Sequence, residues 1–390
     1  MAEAYIVSAK RTAGGRRGGA LAEWHPGDLA AQTLNAVVEE TGIDGAAIDD
    51  VIMGCVSQAG EQANQIGRTA VLASNLPQSV PAVTVDRQCG SSQQSVQFAA
   101  QAIMSGTQDL VIAAGVESMT RCPMGINMRA GEVFDIPSNP TPQSVLDAYS
   151  IPGFSQFAGA EMIAKKHGHD RELVDRFSLE SHRRAVIARD SGAFEKEIVA
   201  IKGRDHEGNE VMHKHDEGIR PGTMEKLATL KILMDGGVLT AANASQICDG
   251  SSAVMLASEQ ALKDHKLTPL ARIHNLTVTA GDPVIMLEEP LFATDRALKR
   301  AGMSISDIDL FEVNEAFAPV PLAWLSHTGA DPEKLNVNGG AIALGHPLGG
   351  TGTKLMATLV HALRARGKKY GLQTMCEGGG IANVTIIEAL

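Results

Sequence analysis

Two rhythms of apolar and polar positions run along this chain. Short apolar runs at residues 6–8, 51–55, 82–85 and 110–114 predict strands, the third opening after Pro81 and the fourth closing at Gly115. Amphipathic stretches at 29–40 and 92–104 predict helices. The first takes Asp28 as its N-cap and Gly42 as its stop, and the second carries Val96, Ala99, Ala100 and Ile103 on one face. Strand and helix in alternation predict parallel sheets covered by helices.

The rhythm breaks after Met119. Residues 122–155 are rich in Pro, Asn, Gly and Met. Two polar helices are expected next, at about 160–167 and 171–189, and the second is so charged that it is expected to face solvent. Regular texture returns near Thr240. Residues 119–245 therefore read as an insertion, or lid.

The last third then resembles the first. Ile48-Asp49-Asp50-Val51-Ile52-Met53-Gly54 parallels Ile308-Asp309-Leu310-Phe311-Glu312-Val313-Asn314. Cys89 follows Ile48 by 41 residues and His346 follows Ile308 by 38, each just before a predicted helix. Each helix leads to an apolar strand ending in glycine, at 110–115 and 370–378. This is an internal duplication of one α/β unit. Two packed copies bring both loops to one seam, and ligands of such sheets bind beyond the carboxyl ends of strands.

Composition narrows the chemistry. The 390 residues suffice for two or three domains, and 34 basic against 45 acidic side chains leave a net charge of −11. Nonspecific nucleic-acid binding is disfavoured, and an anionic ligand needs a local basic patch. No apolar run is long enough to span a membrane. The apolar start precedes its arginines, the reverse of a secretory signal, so a cytoplasmic location is expected. Five scattered cysteines without CxxC argue against a disulfide framework or a zinc ribbon. Cys55, Cys122 and Cys248, among apolar or small neighbours, are expected to be packing. The pairs His167/His169 and His213/His215 lack further ligands at metal spacing and are read as exposed polar loops, so no metal is expected. Arg16-Arg17 is too short a basic patch to carry weight.

Three loops carry candidate chemistry. In Val85-Asp86-Arg87-Gln88-Cys89-Gly90-Ser91-Ser92 a thiol sits in the turn that opens a helix, where the helix dipole is expected to lower its pKa toward the thiolate. In Asn338-Gly339-Gly340-Ala341-Ile342-Ala343-Leu344-Gly345-His346-Pro347 one imidazole stands among small residues and can take a thiol proton. Residues 349–354 lack the Gly-Lys-Ser/Thr order of a nucleotide loop. In Met375-Cys376-Glu377-Gly378-Gly379-Gly380 a second thiol meets backbone N–H groups able to hold an oxyanion.

These loops, with Asn314-Glu315-Ala316-Phe317-Ala318, resemble the thiolase family, and the resemblance runs from Arg11-Thr12 to Thr385-Ile386-Ile387-Glu388. It implies an αβαβα five-layered sandwich of two duplicated halves with an inserted loop domain. The implied division is an N-terminal domain of residues 1–118 plus about 246–270, a loop domain of 119–245, and a C-terminal domain of 271–390. It implies acyl transfer with coenzyme A as substrate and no tightly bound cofactor, in a homo-oligomer that is a dimer of dimers. Cys89 is then the acylated nucleophile, and His346 its base and an oxyanion donor. Cys376 is the acid/base for the α-carbon and the CoA thiol. Asn314 holds a water, and the N–H groups of Cys89 and Gly378 form the second oxyanion hole. Arg220 and Lys226 face CoA phosphates or adenine. Ser245, in Ala241-Ala242-Asn243-Ala244-Ser245, lies by the pantetheine with Ala241, and Phe317 packs on it.

Departures from the family pattern shape the expected substrate. Gln156-Phe157-Ala158-Gly159-Ala160-Glu161 stands where short-chain biosynthetic members carry a Met and a His. Degradation of a fatty acyl, sterol or similar 3-ketoacyl-CoA is favoured over acetoacetyl-CoA synthesis. Asp86 and Ser92 replace a common Asn and Gly without removing a catalytic group. A condensing enzyme using acyl carrier protein usually pairs Cys with two His, so Cys376 argues against it. A non-catalytic CoA or lipid binder should lack one of Cys89, His346 or Cys376. A cysteine hydrolase is the third rival.

Overall fold

In each half of the molecule an aspartate does the same work. In the computed structural model, which describes residues 2–137 and 139–390, Asp49 Oδ2 accepts the N–H groups of Asp109 (2.7 Å) and Leu110 (3.0 Å). Asp309 Oδ2 accepts those of Lys369 (2.9 Å) and Tyr370 (3.0 Å). Each carboxylate thereby fixes where a central strand begins.

The strands follow that duplication. Hydrogen-bonded neighbours run in the order Ala82–Val85, Asp50–Gly54, Leu110–Ser118, Cys248–Ser258, Ala4–Thr12, then Ala271–Ala280, Ile381–Ala389, Tyr370–Glu377 and Leu310–Val313. The halves join through the antiparallel pairs Tyr5–Arg272 and Ile6–Ala271. The sheet is mixed, which corrects the all-parallel expectation. The first three strands are mutually parallel, as are the last two, but Cys248–Ser258 and Ile381–Ala389 run antiparallel to their neighbours. The second of these returns directly through Gly378–Gly380, a turn too short for a crossover helix.

Helices complete five layers. Pro26–Thr41 and Ile66–Ala73 cover one outer face, and Glu289–Ala301 and Pro319–Thr328 lie toward the other. Ser91–Met104 and Thr351–Ala365 fill the middle, where Val96, Ala99, Ala100 and Ile103 pack with Met356, Leu359, Val360 and Leu363. The middle helices approach so closely that a Cβ on Gly352 would sit 2.0 Å from Gln93 N. Gln93 and Gln97 reach past this layer to Thr385 Oγ1 at 3.1 and 3.3 Å. Ser92 Oγ accepts the Thr353 N–H at 3.0 Å, so the residue that replaces a common Gly ties the two helices together.

Several boundaries move. The first helix is Pro26–Thr41, and its N-cap is His25, whose Nδ1 accepts the Gly27 N–H; Asp28 lies in the first turn instead. Gly42 ends it as expected, at φ 67°. In the insertion, Gln156–His167 and Arg171–Asp190 are helical. The second does not simply face solvent. Val174, Ser178, Ser181, Ala185 and Ala188 are buried, and a Cβ on Gly339 would meet Ala185 Cβ at 2.7 Å. Its small residues dock it on the loop before His346, and most of its charges stay outside, the buried Asp175 paired with Arg171 at 2.6 Å being an exception. The insertion also adds Ile198–Val199 alongside Arg11 and Thr12.

Of the histidine pairs, His215 is exposed as expected, whereas His169 and His213 are buried and His167 half-buried. His169 stacks on His167, which contacts Glu288 at 2.9 Å, and His213 contacts Ala13 O at 3.0 Å. Cys55, Cys122 and Cys248 are buried thiols. Among the described residues no helix is long and apolar enough to cross a membrane.

Candidate active site

The Cys89 turn is strained and locally braced. Gln88, just before the thiol, takes φ 49°, a left-handed conformation unusual for a side-chain-bearing residue. Asp86 Oδ1 accepts the Gln88 N–H at 2.6 Å, and Ser91 Oγ donates to Gln88 O at 2.6 Å. From the other half, Asn383 Nδ2 donates to Gly90 O at 3.1 Å. Gly378 lies against the same turn, where a Cβ would meet Gln88 Oε1 at 2.9 Å.

The thiol is buried, and this corrects the expected effect of the helix dipole. Burial, then the Glu377 carboxylate, push Cys89 up to about 12. Burial and the nearby Cys89 likewise raise Cys376 well above an ordinary thiol. At neutral pH both are S–H groups.

His346 is poised as a base by its neighbour. Its Nδ1 lies 2.6 Å from Thr351 Oγ1, and that hydroxyl is 2.8 Å from Pro347 O, which can only accept. Thr351 spends its single proton on Pro347, so Nδ1 must carry the imidazole hydrogen. Nε2 is left with a free lone pair, and it is buried with no partner. Burial, then the Lys354 charge, push the imidazole down to about 3. At rest the Cys89 thiol and the His346 imidazole are therefore both neutral.

The loop bearing His346 is clamped by side chains that sequence inspection did not single out. Glu117, at the end of Leu110–Ser118, accepts the N–H groups of Val56, Ser57 and Gly349 and the Gln62 amide at 2.8–2.9 Å. Glu315 accepts from Ser181 Oγ (2.7 Å), Asn336 Nδ2 (2.9 Å) and Ile342 N (3.1 Å). Lys354 donates to Leu344 O and Gly345 O at 2.5 and 3.1 Å. Behind Lys354, the buried Arg11 pairs with Glu197 at 2.7 Å and Asp216 at 2.8 Å, tying the first strand to the insertion. An arginine inside an apolar strand was the available signal.

A cavity of about 620 Å³ opens at this seam. Its apolar lining includes Met119, Met124, Phe157, Leu233, Phe317 and Leu348; its charged lining is Arg16, Arg17, Glu217 and Arg220; His346 borders it directly. Cys89 lies one layer behind, packed with Met119 and Leu348. Asn314 is buried with neither amide atom partnered, as suits a group that meets a water or a substrate oxygen.

The other candidates divide. Ser245 and Ala241 line the cavity, and the Ser245 N–H is bonded to Ala316 O at 2.9 Å. Phe317 is a buried cavity wall, edge-to-face with Phe157 at 5.2 Å, so the Phe that stands in the departing segment shapes the pocket. Lys226 is not at this cavity. It lines a neighbouring one of about 190 Å³ that shares Arg220 and Ala241. Arg16 and Arg17, given no weight in sequence, join Arg220 in the basic lining. Gln246 connects the two regions, accepting from Arg220 at 3.1 Å while donating to Ile342 O at 2.6 Å.

Known proteins resemble this chain over its whole length. The thiolase N-terminal domain model matches residues 4–260 and the thiolase C-terminal domain model residues 267–389. A steroid 3-ketoacyl-CoA thiolase of Mycobacterium tuberculosis is 54% identical over 392 residues, covering 100% of this chain and 95% of the relative. A 3-ketoacyl-CoA thiolase of Yersinia pestis is 42% identical, covering 100% of both. The crystal structure of human mitochondrial 3-ketoacyl-CoA thiolase superposes with TM-score 0.90 at 38% identity, covering 100% of this chain and 99% of that one. The same human enzyme in complex with CoA superposes at 0.88.

Proposed function

The chain belongs to the thiolase family, and from that premise we propose how its residues perform the reaction. It is a CoA-dependent acyltransferase of the 3-ketoacyl-CoA thiolase type, cleaving a 3-ketoacyl-CoA to acetyl-CoA and a shortened acyl-CoA.

In our reading, His346 Nε2 takes the Cys89 proton as Sγ attacks the C3 carbonyl. Proton transfer accompanies attack, because neither group is charged at rest. The new Nε2–H, with a water held by Asn314, is then a donor for an oxygen that becomes negative. The backbone N–H groups of Cys89 and Gly378 serve a second such oxygen. The C2–C3 bond breaks, Cys376 S–H protonates C2, and acetyl-CoA leaves. The Cys376 thiolate next takes the thiol proton of a second CoA, whose sulfur attacks the acyl-Cys89 thioester; the shortened acyl-CoA is released as the Cys89 sulfur departs and recovers its proton from His346 Nε2–H. The observation that carries this reading is the Thr351-locked imidazole, whose buried Nε2 has no partner and whose ring borders the cavity.

The CoA polyphosphate is assigned to Arg16, Arg17 and Arg220, with Lys226 in the adjoining cavity, and residues 119–245 act as the CoA-binding insert between domains of 1–118 plus about 246–270 and 271–390. Ser245, Ala241 and Phe317 border the pantetheine. The acyl group is assigned to a steroid-derived or similarly bulky class. The apolar walls and the 54% identical steroid thiolase support that choice. A cytoplasmic dimer of dimers completes the reading, and light scattering tests the assembly.

Acyl-CoA should add its acyl mass to the peptide bearing Cys89, and Cys376→Ser should keep that label while losing turnover. A protein that binds CoA but never labels at Cys89 sinks the covalent mechanism. In a thiolysis series, ring-bearing 3-ketoacyl-CoAs should exceed acetoacetyl-CoA in kcat/KM by about tenfold or more. The reverse order overturns the substrate class.

A further inference from the structure

Glu377 takes no part in the steps above, yet it adjoins both thiols. It follows Cys376 in its strand and lies against the Cys89 turn, where a Cβ on Gly90 would sit 2.0 Å from its Oε1. It is fully buried, and among the described residues it is the carboxyl with both oxygens buried and unpartnered. Asp86, Arg87 and Cys89 face it from the turn, and Cys376 adjoins it on its own strand. Asn383, from the neighbouring strand, is also close, and its Oδ1 is buried without a partner.

We propose that Glu377 is a positioning residue that controls Cys89 by charge: as a neutral acid it seats the nucleophile turn, and on ionising it opposes the thiolate. The proposal rests on Cys89 being the nucleophile. An isolated carboxylate here has lost its water without gaining donors, which favours the protonated form. Burial raises Glu377 well above an ordinary carboxyl, and the Arg87 charge and the Asn383 N–H offset only part of that. The protonated acid has an O–H to offer the unpartnered Asn383 Oδ1. Once ionised, its negative charge is the foremost neighbouring charge that raises Cys89.

The test is the pH profile of Cys89 alkylation by iodoacetamide, followed on the Cys89 peptide by mass spectrometry between pH 6 and 10. In Glu377→Gln, which keeps the shape and removes the charge, Cys89 should react roughly tenfold faster at the alkaline end of this range, a shift of its reactivity profile by about one pH unit. Superimposable profiles, or a uniform loss at every pH, overturn the proposal. Arg87→Met gives a second arm if the first variant misfolds. Without that cation Glu377 holds its proton to higher pH, and the alkaline half of the profile should rise; an unmoved profile counts against the idea. A wild-type protein whose Cys89 neither alkylates nor accepts an acyl group defeats the nucleophile assignment instead, so the two failures are distinct.

Discussion

The Cys89 and His346 loops are held in opposite ways. Four side chains clamp the His346 loop, the buried Glu117, Glu315 and Lys354 and the half-buried Gln246. The Cys89 turn is braced mainly by its own Asp86 and Ser91. The duplication sharpens the contrast, because Glu117 and Glu377 each stand seven residues into corresponding strands. Each reaches the catalytic loop of the other half. Glu117 meets four N–H donors, Gly349 in that loop and Val56, Ser57 and Gln62 in its own half, whereas Glu377 completes no hydrogen bond with either oxygen. In the proposed roles, the base needs one orientation and one tautomer, which a fixed loop supplies. A nucleophile passes through a charged state, so the charge beside its turn matters more than further bracing.

The largest effect should come from the nucleophile itself. Cys89→Ser should lower kcat by about 10⁴–10⁶-fold, the scale seen when a covalent nucleophile is removed. Circular dichroism and melting should be nearly unchanged, since the turn depends on Asp86 and Ser91. Steady-state thiolysis checks it, and a variant within tenfold of wild type breaks the assignment.

The clamp should show itself in stability. In Glu117→Gln one oxygen becomes an NH₂ donor, and each oxygen now accepts two N–H groups. Two buried donors therefore lose their acceptor, at about 1–2 kcal/mol each, or roughly 3 kcal/mol in all. Urea unfolding measures it. A loss below about 1 kcal/mol would mean that the clamp is dispensable.

This contrast also marks what the sequence made legible. The repeated Ile-Asp segments and the apolar strands after them exposed the duplicated frame, because a periodic core writes itself into neighbouring residues. Cys89, His346 and Cys376 stood out because reactive side chains among glycines have little else to explain them. Glu117 did not, since its partner Gly349 lies 232 residues away. Thr351 looked like one more small residue, and Arg16 and Arg17 gained meaning only when folding placed them beside Arg220. The expected low thiol pKa failed for a different reason: the dipole was visible in the turn, but the burial that outweighs it was not.

Glu377 should reverse the sign found for Glu117. Its folded-state proton is held more tightly than the ordinary carboxyl's, whose pKa is 4.5. Below that value both folded and unfolded chains are protonated, and the residue adds no pH dependence. As pH rises above it, the unfolded chain ionises first and is stabilised. Wild type should therefore lose stability relative to Glu377→Gln at up to about 1.4 kcal/mol per pH unit, until the folded-state proton is lost too. Paired urea titrations at stepped pH values test the slope. A constant difference between the two proteins would show that Glu377 is ionised in the fold.

The smallest effect isolates orientation from chemistry. Thr351→Val removes the hydroxyl that accepts from His346 Nδ1 and keeps nearly the same volume. The imidazole then has no reason to prefer the Nδ1–H form, and a fraction of molecules will carry the hydrogen on Nε2, where it blocks proton transfer from Cys89. General-base catalysis contributes about 10²–10⁴-fold, so losing only its tautomer control should lower kcat by about tenfold. KM for CoA should hold, because Thr351 does not line the cavity. Thr351→Ser should restore most of the rate, since its hydroxyl can also donate to Pro347 O and accept from Nδ1. If the serine variant is as slow as the valine one, the side chain acts through packing at the start of Thr351–Ala365, and the asymmetry between a fixed base and a charge-controlled nucleophile loses its firmest support.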